Sequence, residues 1–198
     1  IGSITWTERT GGVLTARECA SLAMPLLRSE LRITAGLLAL LTRRHAGRRS
    51  VVDPASLTPP DSAIAREAEE AAADLLSPAV LNHSRRTFAW GAAIAALQRV
   101  AYDRELLYVA ALLHDTGLPS PVPHVDFTVR SAQIARELLH RHGVPADRRE
   151  LVANAIALHH TPGVDRSFGG EAFLLSAGAG VDVFGLRSDE LPDAIRRA

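Results

Sequence analysis

Apolar residues recur along this chain at intervals of three and four, and nowhere does the strict alternation of a half-buried strand take over. Thr15-Ala-Arg-Glu18 has the form of a capping box, in which a Thr and a Glu side chain satisfy the free amides of a helix start. We therefore predict a helix from there, kinked or restarted at Pro25 and continuing to about Arg44. The segment 47–60 carries Pro54, Pro59 and Pro60 and reads as a linker. Beyond it the pattern predicts consecutive helices over 61–76, 78–100, 103–116, 126–142, 147–160, 171–184 and 189–197, with Gly117 and Gly143 as stops and Asp147-Arg-Arg-Glu150 as another cap-like start. No internal repeat is visible. The fold class expected is all-α, divided into an N-terminal helical arm and linker (1–60) and a helical domain (61–198).

Composition narrows the functions open to such a bundle. At 198 residues the chain can bury a full-sized core, and 47% hydrophobic with 22% charged residues is the balance of a globular protein. Basic and acidic residues number 22 each, so no net field favours nucleic acid or an anionic membrane, and neither is expected as a partner. No lysine occurs, which removes Schiff-base chemistry and the phosphate-loop lysine. Cys19 is the only cysteine, so any metal must be held by His and carboxylate, and a reducing cytoplasm suits the chain. The longest apolar stretch, 33–41, falls far short of the roughly 20 residues that span a bilayer.

The feature with chemical content is His114-Asp115, which closes the apolar run Leu106-Leu-Tyr-Val-Ala-Ala-Leu-Leu113. An imidazole and a carboxylate at the edge of a core are costly unless partnered, and a divalent metal is one such partner. Residues adjacent on a helix point about 100° apart, so both reach one ion only at the helix end, with other helices completing the pocket. His83 on an earlier helix and Asp182 on a later one are the candidates, and the small residues around Asp182 would let its helix approach closely. Two histidines and two carboxylates suit zinc, iron, manganese or nickel, with room for water if the ion expands beyond four ligands or one carboxylate swings away.

These positions follow the order His, His-Asp, Asp of the HD superfamily of metal-dependent hydrolases. The flanks Leu81-Asn-His-Ser-Arg-Arg-Thr-Phe-Ala-Trp-Gly91, Ala111-Leu-Leu-His-Asp-Thr-Gly117, Ile156-Ala-Leu-His159 and Val181-Asp-Val-Phe-Gly-Leu186 resemble its cyanamide hydratase-like branch. The resemblance covers about 78–195. It implies an HD helical bundle with one divalent transition metal, zinc favoured, held by His83, His114, Asp115 and Asp182. It also implies water activation on a small molecule, with Asp115 and His159 as catalytic candidates. Two departures, Phe127-Thr128 where relatives carry Phe-Glu and His160 where they often carry Thr, lie on the expected substrate side and point to a different substrate. Gly117-Leu118 stands where the cyclic-dinucleotide phosphodiesterase branch has Gly-Lys. Two other readings stay open: a phosphohydrolase of a nucleotide or other phosphate ester, for which Arg85, Arg86 and Arg130 would cradle phosphate, and a catalytically silent ligand-binding module. A homo-oligomer is also open.

Read singly, several residues have a plainer explanation. His159 and His160 could serve the site or cap helix carbonyls; His140, His142 and His124 read as helix-end or loop residues, and His45 as part of the cluster Arg43, Arg44, Arg48 and Arg49. Phe88, Trp90 and Tyr108, at helical spacing, read as core.

Overall fold

The computed structural model describes residues 1–196, and among them there is no strand. Nine α-helices run in order among the described residues: α1 (Ile4–Thr10), α2 (Ala16–Leu41), α3 (Ala63–Leu75), α4 (Pro78–Gln98), α5 (Arg104–Leu113), α6 (Phe127–Arg141), α7 (Ala146–Leu158), α8 (Gly170–Phe184) and α9 (Asp193–Arg196). The all-α expectation holds. Among the described residues no helix is long and apolar enough to cross a membrane.

The centre is α5, in which every residue from Leu106 to Leu113 is buried. Its apolar sequence leaves no face for solvent, so α3, α4, α7 and α8 surround it. Asp103 caps it, accepting from the Leu106 amide at 3.0 Å, while the Asp103 amide donates to the buried Glu171 at 2.7 Å. The tightest helix pairing is α4 on α8, and glycine makes it. A methyl group on Gly178 would sit 2.1 Å from the Thr87 carbonyl oxygen, and one on Gly91 2.8 Å from that of Leu174. The small residues near Asp182 thus bring α8 against α4.

Several boundaries differ from the sequence expectation. α5 ends at Leu113 rather than 116, because Thr116 folds back and donates through both its amide and its hydroxyl to the Leu113 carbonyl. Gly117 is accordingly no helix stop. It lies where a side chain would strike the Phe127 carbonyl, and its amide donates to Ser131 Oγ. α7 starts beyond Pro145 rather than at an Asp147 cap; Asp147 lies in the first turn and Glu150 binds Arg136 instead. Pro25 sits inside a continuous α2, since Ser21, whose carbonyl it leaves without an amide, is exposed to solvent. The expected last helix is a 3-10 turn, Ser188–Glu190, and the short α9, separated by Pro192, and its end at 197 lies outside the described residues. The short α1 carried no recognised signal, although Ser3 caps it.

The arm is docked. Ile4 and Val52 join the main core, and the Ile4 amide donates to Asn154 Oδ1 on α7. The linker forms two 3-10 turns, Ala46–Arg49 and Pro54–Leu57, and Arg104 donates to the Ala55 carbonyl. His45 is buried, unlike the arginines around it, with Nε2 2.9 Å from Asp193 Oδ1.

Candidate metal centre

The C-terminal end of α5 is where α4, α7 and α8 deliver their polar side chains. His83 comes from α4, His114 and Asp115 from the turn that closes α5, His159 from the end of α7 and Asp182 from α8. The Nε2 atoms of His83 and His114 stand 3.2 Å apart, and Asp115 Oδ2 lies 3.3 Å from the second and 3.8 Å from the first. His159 Nε2 is 3.8 Å from the other Asp115 oxygen. Among the described residues, His83, His114 and Asp115 offer donor atoms within 4.8 Å of one another.

Each ring is held from behind. His114 Nδ1 faces the Ala111 carbonyl oxygen at 2.7 Å, and His159 Nδ1 the Ile156 oxygen at 2.6 Å. A carbonyl only accepts, so Nδ1 carries the proton and, in the neutral ring, Nε2 presents a lone pair. His83 Nδ1 is likewise engaged by Asp182 Oδ2 at 2.7 Å. Two lone pairs and a carboxylate oxygen therefore converge with no hydrogen between them. A cation between these groups turns this repulsion into attraction, and an outer acceptor on each ring is the usual way a protein orients metal-binding imidazoles. The donor set fits a divalent transition ion.

Asp182 is placed differently from the other three. Its carboxylate lies on the Nδ1 side of His83, accepts from Arg86 Nε at 2.6 Å and Nη2 at 2.9 Å and from the Trp90 indole at 3.3 Å, and lines a separate depression. Trp90 is thus a partner of the site rather than only core, whereas Phe88 packs edge-on against Tyr108. Burial acts to raise the Asp182 pKa, but its bonds with Arg86, His83 and Trp90 outweigh this and lower it to about 2. At Asp115 burial again acts to raise the pKa, but the attraction of its carboxylate to protonated His114, and to His159 and His83 when charged, outweighs this and lowers it to about 2. His159 shifts down because burial and the nearby His114 both disfavour its charged form. It is held neutral.

The centre opens into a cavity of about 680 Å³ between α2 and the helical core, with His83, Asp115, His159 and His160 on its wall. Phe127 stands outside that wall and packs its ring against His159 and His160, 5.9 and 5.7 Å between centroids. Neither Arg85, Arg86 nor Arg130 lines the cavity; Arg85 is bound to Glu69 and Arg86 to Asp182. The arginines that do line it are Arg28 and Arg32 of the arm and Arg187 after α8, none of which the sequence had singled out. The only signal was the spacing of Arg28 and Arg32, one helical turn apart. His142 pairs with Glu67, and His140 and His124 are exposed, in keeping with roles away from the site.

The chain matches the HD domain family over residues 80–190, a span that contains His83, His114-Asp115, His159 and Asp182. It belongs to the HD domain family. Within this HD protein, 111 residues are 37% identical to cyanamide hydratase DDI2 of Saccharomyces cerevisiae and equally to cyanamide hydratase DDI3 of the same yeast. The match covers 53% of this chain and 49% of each yeast protein, so the chain spans about half the length of the curated relatives it matches.

Proposed function

We propose that this HD protein is a metal-dependent hydrolase or hydro-lyase that adds water to a small molecule, with chemistry like that of cyanamide hydratase. The convergence of His83 Nε2, His114 Nε2 and Asp115, each ring oriented from behind, carries the reading. The proposed ligands are His83, His114, Asp115 and Asp182, for one divalent transition ion, with zinc favoured over iron, manganese or nickel. Asp182 enters this set by exchanging its bond with His83, one ring away from the other three. A bound ion of this kind lowers the pKa of water and so supplies a nucleophile at neutral pH.

The protein's own groups manage the protons. Addition of water across a carbon–nitrogen triple bond puts oxygen on carbon and hydrogen on nitrogen, so one proton must leave the water and one must reach the nitrogen. His159, held neutral with Nε2 bare and facing Asp115, accepts the first and returns it as the second. The Ile156 carbonyl keeps that imidazole facing the centre, and Asp115, ionised, attracts it once it carries the proton. His160 meets substrate on the cavity wall, and Phe127 acts by fixing both histidine rings. The exposed thiol of Cys19 suits a reducing, cytoplasmic setting.

Elemental analysis of the purified protein tests the centre: about one transition metal per chain, absent from His114→Ala, is the expected result. Turnover of cyanamide or a nitrile, with no phosphate released from a nucleotide panel, supports the hydro-lyase assignment. Phosphate release would overturn it in favour of a phosphohydrolase. Ligand-induced thermal stabilisation without any turnover would reduce the protein to a binding module.

A further inference from the structure

The cavity is much larger than cyanamide requires. A molecule of three heavy atoms displaces on the order of two waters, roughly 60 Å³ at about 30 Å³ each, whereas the cavity holds about 680 Å³. That volume lies in the range of pockets that enclose drug-sized ligands. Its wall is chiefly apolar, from Pro25 and Ile33 of the arm to Phe173 and Val183 of α8, and a small polar substrate would leave this surface wet.

The charges on the wall are unequal. Arg28, Arg32 and Arg187 face the cavity, against Glu30 and the centre's own Asp115. Arg32 and Arg187 share one carboxylate, Glu190, which also binds Gln98, so two guanidiniums rest on a single negative charge. Arg28 has no partner among the described residues. Arg187 is held in place: its side chain is only 21% exposed, its guanidinium lies 5.2 Å from the Phe173 ring centroid, and its backbone is left-handed at φ 65°. That conformation costs energy in a non-glycine residue, and such strain gathers at functional sites. Burial, together with Arg32 and Arg166 nearby, outweighs the Glu190 contact and pushes its pKa below the ordinary arginine value.

We propose that this cavity binds an amphipathic organic anion, its apolar body between α2 and α8 and its carboxylate or phosphate at Arg187 and Arg28, with the reacting end turned to His159 and Asp115. The placement of the reacting end rests on the metal-centre reading above; the anion site does not. The substrate so described is far bulkier than cyanamide.

Calorimetric titration with straight-chain probes tests this on the protein as purified and after dialysis against a chelator. Octanoate and octyl phosphate distinguish the two headgroups, octylamine reverses the charge, and octanamide removes it. One or both anions should bind at least tenfold more tightly than the amine and the amide, and affinity should rise about fourfold per methylene from hexanoate to decanoate. Arg187→Gln should weaken the preferred anion at least tenfold and Arg28→Gln severalfold, while Arg187→Lys retains part of the binding. Equal binding of octanoate and octylamine, an absence of chain-length dependence, or unchanged affinity in both glutamine variants would overturn the proposal. Anion selectivity that persists in stripped protein and in His114→Ala upholds the cavity site even if no metal is found. Metal retained without anion selectivity would sink the cavity site alone.

Discussion

Asp182 shows how a single residue's role depends on which nitrogen it meets. As a ligand it must be an anion at the ion; as a support for His83 it need only accept a hydrogen bond from Nδ1. Asparagine can do the second and does the first poorly. Because we propose a ligand, Asp182→Asn and Asp182→Ala should both lose metal by tenfold or more in affinity, measured by competition with a chromogenic chelator; full retention in the asparagine variant would make Asp182 a positioning residue. In metal-free protein the same residue carries a pH signature. Its pKa is lowered to about 2 in the fold from the ordinary carboxyl value of 3.8, so the stability it contributes is present above 3.8 and is lost as pH falls through about 2. The melting temperature of stripped Asp182→Asn should therefore lie below that of stripped parent at about pH 6, and the gap should close toward pH 2. A gap that widens on acidification would reverse the assigned direction.

The helices serve the centre through their ends and their crossings. Gly178 lets α8 lie against α4, and the added methyl of Gly178→Ala, 2.1 Å from the Thr87 oxygen, must push the helices apart. We expect a loss of about 1–3 kcal/mol together with weakened metal binding, because Asp182 and His83 then separate. Thermal melts and metal content check the two effects on one sample. Asp103 offers a contrast, since it caps α5 at the end remote from His114. Asp103→Ala should cost about 1 kcal/mol, a fall of roughly 2–4 °C in Tm for a chain of this size, with metal content kept. The capping box at Thr15 and the cap at Asp103 were readable because they satisfy amides locally, whereas the cap expected at Asp147 is not formed. The early end of α5 was not, because the pattern of apolar residues continues through the turn that Thr116 tightens.

At the scale of the molecule, protection should follow burial. α5 is enclosed on every side, whereas in α2 only Gly36 is buried and Leu27, Leu31, Leu38 and Leu41 face solvent. Hydrogen exchange should therefore be slowest in α5 and orders of magnitude faster in α2, with the docked α1 between them. Protection of α2 equal to that of α5 would mean that the arm is covered, as a second copy of the chain would cover it. The arm matters to function by position: it supplies one wall of the cavity and two of its arginines.

The sequence by itself determined the helical class, most helix positions and the His, His-Asp, Asp order, because periodicity, caps and an apolar run ending in His114-Asp115 are local facts that survive without a fold. It also singled out His159 and the small residues that allow α8 to close on α4. Only the tertiary structure decided which ring nitrogen each partner holds, that Asp182 meets His83 from behind, and that Trp90 and Arg86 stand beside it. The cavity was likewise invisible, since Arg28 and Arg187 are separated by most of the chain and come to line one cavity only through the path of α2. Such pairings depend on where whole helices lie, and intervals along a sequence carry no record of that.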